Sequence, residues 1–140
     1  MQINLLLVIF VCFVPVFQET STPIKSNQTF VEVWCGGDDN LTRGVCRAVY
    51  NELLSSPDFD LNSEEKPGRL IVTIPTNVKW KQHENRTRIF YRVEFTSTKD
   101  KKLSTKKGDC WEDDLKTCAF QVVRQAKIAA RKLATSSMPD

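Results

Sequence analysis

Residues 89–96 alternate without a break, with Ile89, Tyr91, Val93 and Phe95 on one side and Phe90, Arg92, Glu94 and Thr96 on the other. A period of two over this length specifies a β-strand with one buried and one largely solvated face. Such a strand needs antiparallel neighbours and an apolar layer against it, so it constrains the fold more than any other segment. Upstream, Leu70, Val72 and Ile74 alternate with Ile71 and Thr73, Pro75 interrupts, and Val78 and Trp80 resume the pattern. Proline cannot donate to a ladder, so this strand lies at an edge or is bulged at Pro75. A polar tip at residues 82–86 joins the two runs into a β-hairpin.

Two helical stripes supply the covering layer. Residues 30–35 (FVEVWC) read as a short strand that places Val31, Val33 and Cys35 on one face and Phe30, Glu32 and Trp34 on the other. The GGDDN cluster at 36–40 ends it and offers an N-cap. Leu41, Val45, Cys46, Val49, Tyr50, Leu53 and Leu54 then recur at three- and four-residue steps, and Pro57 stops the helix. Residues 57–68 are turn-rich and acidic, hence a loop. Residues 97–109 (STKDKKLSTKKGD) carry no apolar pattern and read as a lysine-rich connector. Beyond it Glu112, Asp113 and Asp114 open a second helix whose end carries Arg124, Lys127, Arg131 and Lys132, as the helix dipole favours. Its stripe is Trp111, Leu115, Cys118, Ala119, Val122, Ala126, Ala129 and Leu133.

The expected fold is therefore α+β: a three-stranded antiparallel sheet with two amphipathic helices packed on one face, in the order β-α-β-β-α, stapled by disulfides. The helix-on-sheet order resembles the cystatin-like class in outline. The chain has no Gln-x-Val-x-Gly hairpin motif and carries an additional carboxy-terminal helix, so no inhibitor function is transferred.

Residues 3–17 (INLLLVIFVCFVPVF) form an apolar stretch shorter than the roughly 20 residues a spanning helix needs, and Pro15 interrupts it. It reads as a cleaved signal peptide over 1–18, with Val16 at −3 and Gln18 at −1. A polar amino-terminal arm follows at 19–29, then one domain at 30–134 and a frayed tail at 135–140. Export places the mature chain outside the cell, in an oxidising compartment. There Cys35, Cys46, Cys110 and Cys118 are an even set suited to two disulfides. Their Cys-x10-Cys and Cys-x7-Cys spacings are not those of zinc knuckles. Local pairing clips each helix to its own lead-in; crossed pairing, Cys46 with Cys118 and Cys35 with Cys110, bolts the helices together. Eight helical residues span about 12 Å, beyond disulfide reach, so the spacing leans toward the crossed pattern unless the chain folds back before about Asp113. Asn27, Asn40 and Asn85 each begin an Asn-x-Thr sequon, and in an exported chain they are expected on the surface as N-glycosylation sites.

The 20 Lys and Arg against 17 Asp and Glu leave a net charge of +3, too little to argue for a nucleic-acid or an acidic partner. His83 is the sole histidine; with Glu84, Arg86, Arg88, Arg92 and Glu94 it offers the ingredients of a small secreted ribonuclease. Adjacent strand residues face opposite ways, so a solvated turn histidine is the simpler reading. No metal cluster, phosphate loop or nucleophile motif is evident, and no cofactor is expected. Lys99, Lys101, Lys102, Lys106 and Lys107 form a charge cluster that offers non-specific contact to a glycosaminoglycan, an anionic membrane or nucleic acid, with a solvated flexible loop as the simpler reading. Phe30, Trp34, Trp80 and Phe90 are candidates for an exposed aromatic patch on the outer sheet face. These features favour a secreted, non-enzymatic glycoprotein that binds another extracellular protein, with weak polyanion contact and no stable membrane insertion after signal cleavage. The alternatives are a ribonuclease-like hydrolase using His83 and a toxin or glycosaminoglycan binder using the lysine-rich loop.

Overall fold

The computed structural model describes residues 28–61 and 68–136. The expected signal at 1–18, Asn27 with nearly all of the expected arm, and residues 137–140 lie outside the described residues. The elements are β1 (Thr29–Cys35), α1 (Asn40–Ser55), β2 (Phe59–Asp60), β3 (Leu70–Ile74), β4 (Lys79–His83), β5 (Arg86–Ser97), β6 (Lys102–Trp111), a 3-10 turn (Glu112–Asp114) and α2 (Leu115–Ser136).

The class is α+β, but the sheet has six strands and is mixed, not three-stranded and antiparallel. Strand β1 runs parallel to β3, pairing Val31 with Leu70 and Val33 with Val72. The reason is the length of α1: 16 residues carry the chain back about 24 Å, so the next long strand starts at the same end as β1 and runs the same way. Within the expected acidic loop, Phe59 is buried and forms the two-residue β2, parallel to β1. The expected lysine-rich connector is strand β6, antiparallel to β5 over almost its whole length. It forms one edge of the sheet, where exposed lysines suit a strand that has a neighbour on one side only.

Pro75 marks a break rather than an edge. Strand β3 pairs with residues 94–97 of β5, β4 pairs with residues 86–90, and the registers differ by two residues across the interruption. A network ties this bulge to the start of α1. Thr42 is fully buried; its N–H and hydroxyl donate to the two Asp39 carboxylate oxygens at 2.8 and 2.6 Å, and its hydroxyl accepts the Val78 N–H at 2.9 Å. Those bonds hold the Asp39 carboxyl below the usual carboxylate range, so their contribution is present at neutral pH and lost as acid protonates the folded cap. Gly36 donates to the Ile74 carbonyl at 2.8 Å, and a Cβ at Gly36 would stand 2.5 Å from the Pro75 carbonyl oxygen. Loop and bulge therefore meet backbone to backbone.

Both helices lie on the face that carries Ile89, Tyr91, Val93 and Phe95, and one core runs through them. Helix α1 buries Val45, Cys46, Val49 and Leu53, while Tyr50 and Leu54 from the expected stripe are exposed. Helix α2 buries Cys118, Ala119, Val122, Val123, Ala126, Ala129 and Leu133. It begins at Leu115 rather than at the acidic residues, which form the 3-10 turn, and it reaches Ser136. Gln28, expected in the arm, donates its side-chain amide to the Pro57 carbonyl at 3.0 Å.

The disulfides are the local pair, Cys35–Cys46 and Cys110–Cys118, with Cα atoms 6.1 and 5.4 Å apart. The crossed pattern is thus incorrect. Cys110 lies in extended β6, and the 3-10 turn folds the chain back so that Cys118 returns beside it.

Two predictions follow from these connections. A single proteolytic cut at Lys99 or Lys101, exposed between β5 and β6, leaves no covalent bridge between the halves. They will separate on a non-reducing denaturing gel, whereas crossed disulfides would keep them together. Thr42→Val, which keeps the shape but strands the Val78 N–H, will cost about 1–3 kcal/mol in denaturant unfolding. Thr42→Ser will cost less, and equal losses would exclude the hydroxyl as the cause.

Candidate binding face of the sheet

The alternation of β5 turns Arg88, Phe90, Arg92 and Glu94 away from the helices. Cross-strand partners share a face, so β4 brings Lys79, Lys81 and His83 to the same side, and β6 brings Thr105, Lys107, Asp109 and Trp111. This hairpin end of the outer face is rich in cations and carries two aromatic rings.

The rings and arginines are in contact. The Arg86 guanidinium lies 4.3 Å from the Trp111 ring centroid, and Arg88 lies 5.6 Å from that ring and 5.8 Å from the Phe90 ring. Carboxylates hold both arginines in place. Arg86 donates from Nε and a terminal nitrogen to the two oxygens of Asp113, at 3.1 and 2.6 Å, and Arg88 donates from Nε to Asp109 at 2.7 Å. The hydrogen bonds from Arg86 hold the Asp113 carboxyl below its ordinary range and push the Arg86 guanidinium above its own. Arg92 pairs with Glu94, which also meets Lys102 at 3.6 Å. By contrast Lys79, Lys81 and Lys107 have no ion-pair partner among the described residues.

Where residues 75–78 leave β5, they open a groove of about 500 Å³ lined by Lys79, Phe90, Arg92, Lys107 and Asp109. Beneath it the Tyr91 hydroxyl donates to Gln121 Oε1 at 2.9 Å. Gly108, opposite Tyr91 in β6, makes this possible, because a Cβ there would overlap the phenol oxygen. Burial first, and the nearby Asp109 charge second, push the Tyr91 hydroxyl up to about 12.

The remaining expected sites are spread out. Of the aromatic patch, Trp34 and Phe90 are exposed on the outer face, 57% and 38% respectively. The parity of β1 places Phe30 on that side as well. Trp80 pairs with Ile89 and faces the helix side beyond the helices. Trp34 lies two strands and four residues from Phe90, roughly 10 Å and 13 Å in those two directions, so it is a separate feature. Its indole N–H donates to Glu32 at 2.7 Å. Trp111, assigned from sequence to a helix stripe, instead joins the outer face through β6. Its place follows from β6 pairing, which residues 97–109 do not announce.

His83 is exposed at the end of β4, its ring 6.2 Å edge-on from Trp111. No carboxylate bonds to it among the described residues. Arg86 is engaged by Asp113, and Glu94 by Arg92 and Lys102. Asn40 is exposed as the first residue of α1, and Asn85 is exposed in the β4–β5 turn. Lys101 precedes β6, and Lys102, Lys106 and Lys107 lie exposed along it. Among the described residues no group of His, Cys, Asp or Glu could hold a metal ion, and no helix is long and apolar enough to cross a membrane. The chain matches no protein-family model and no curated protein.

The Tyr91 environment is measurable. The folded protein retains a phenol proton that the unfolded chain releases near pH 10, so stability falls as pH rises from about 10 to 12. In a spectrophotometric titration Tyr91→Phe will remove the tyrosinate absorbance developing near pH 12. Loss of a component titrating near 10 instead would contradict the buried geometry.

Proposed function

We propose that the protein is a secreted, non-enzymatic glycoprotein module that docks on an acidic surface of another extracellular protein through the outer face of β4, β5 and β6. One observation carries this reading: Phe90 and Trp111 stand beside Arg86, Arg88 and three lysines without an ion-pair partner among the described residues, on a sheet face that neither helix covers. Tryptophan, other aromatics and arginine are the side chains that dominate binding energy at protein interfaces. Here their geometry is set in advance, since Asp113 and Asp109 hold the guanidinium groups against the rings, which lowers the ordering cost of binding. The free lysines select for negative potential and speed encounter rather than adding much affinity. Two disulfides and exposed asparagines at 40 and 85 agree with an exported, glycosylated chain.

The test is a binding screen against an array of extracellular protein domains, run with wild type, Trp111→Ala/Arg88→Glu and, as a control, Tyr50→Ala/Leu54→Ala on the exposed side of α1. A specific partner lost about 100-fold or more with the first variant and retained by the control is expected for an interface hot spot. Equal loss with both variants would contradict the assignment of the face. So would RNA turnover by the purified protein that disappears in His83→Ala.

A further inference from the structure

A second surface, between β6 and α2, has a different chemistry. The register pairs Val93 with Lys106 and Arg92 with Lys107, so consecutive lysines straddle the edge strand, Lys107 on the outer face and Lys106 on the helix side. On α2, Gln121, Arg124 and Gln125 are spaced three and four residues apart and present one face to Lys106 across a cleft of about 290 Å³. No carboxylate lines this cleft. Neither Lys106 nor Arg124 has an ion-pair partner among the described residues. Gln121 uses its Oε1 to accept from Tyr91, which leaves its two amide N–H donors as its unspent polar groups. The Tyr91 bond depends in turn on Gly108, so the orientation of Gln121 is built into the strand opposite.

Two positive charges, oriented amide donors and no acidic side chain make a cleft that disfavours cations and suits a tetrahedral oxyanion. We propose that this cleft binds a sulfate group of a sulfated polysaccharide, with Lys106 and Arg124 neutralising its charge and Gln121 donating to an oxygen. The choice of polysaccharide over nucleic acid rests on the export reading: the two disulfides suit an oxidising, extracellular compartment, where sulfated chains are the accessible polyanions. The cleft opens on the helix side of β6 and meets the outer-face groove only at Tyr91 and Lys107. It shares the export reading with the proposed function, but Lys106 and Arg124 lie outside the aromatic face, so loss of polysaccharide and loss of a protein partner are read from different variants.

Titration calorimetry with a heparin-derived octasaccharide tests the cleft. Lys106→Gln/Arg124→Gln is expected to weaken binding about tenfold or more and to flatten the dependence of log K on log salt. Lys99→Gln/Lys101→Gln, which removes the same charge from the β5–β6 turn, is expected to weaken it less than about threefold. Gln121→Ala, with no charge change, is expected to weaken it about threefold to tenfold. Equal loss in the two charge variants, no effect of Gln121→Ala, or no measurable binding by the wild type would overturn the proposal. A single-stranded oligonucleotide of equal charge that binds more tightly than the octasaccharide would also overturn it.

Discussion

Strand β5 is 12 residues long and is hydrogen-bonded on both sides, so its side chains have two directions available and no others. Ile89, Tyr91, Val93 and Phe95 take one direction and become the floor of the core; Arg88, Phe90, Arg92 and Glu94 take the other. A slip of one residue would put the charges under the helices, which the burial cost of unpaired arginine forbids. Every neighbour inherits this choice through register. Cys110 opposite Ile89 is drawn to the helix side, where Cys118 meets it, and Trp111 opposite Arg88 is sent outward to join Phe90.

The same alternation separates two surfaces with different physical character. The outer face combines rings with guanidinium groups held by carboxylates, an arrangement suited to a preorganised protein contact. The β6–α2 cleft carries donors without acids, and is suited to an anion. Lys106 and Lys107, adjacent in sequence, turn to opposite sides of the strand, Lys106 to the cleft and Lys107 to the outer face, with Lys107 also at the rim of the cleft. A lysine cluster that reads as one electrostatic patch in the linear chain is therefore divided by the fold.

The parts of this arrangement that were legible in the sequence are those with strong local periodicity. The β4–β5 hairpin, both helices and the exposure of Asn40 and Asn85 follow from patterns within about 15 residues. What was hidden depends on pairing at a distance. Strand β6 has Leu103, Cys110 and Trp111 as its only large apolar residues, because one of its faces and one of its edges meet solvent, so it reads as a connector. The parallel alignment of β1 with β3 follows from the return path of α1 and leaves no mark in either strand. The local Cys110–Cys118 bond follows from a three-residue 3-10 turn whose acidic residues look like an ordinary helix start, and Cys35–Cys46 from the 36–39 loop that folds α1 back beside β1. The aromatic and cationic outer face was visible only in part for the same reason: Phe90 lies in a legible strand, whereas Trp111 reaches the face through the strand that was not.

Both surfaces require that residues 102–111 form a strand on the free side of β5, so the most direct measurement is residue-resolved amide hydrogen exchange across β5 and β6. Protection along β5, with alternating protected and fast-exchanging amides through Lys102–Trp111, is the result expected of an edge strand paired on one side. Uniformly fast exchange from 102 to 109 would mean that the lysine-rich segment is a loop. It would remove Trp111 from the outer face and Lys106 from the cleft together.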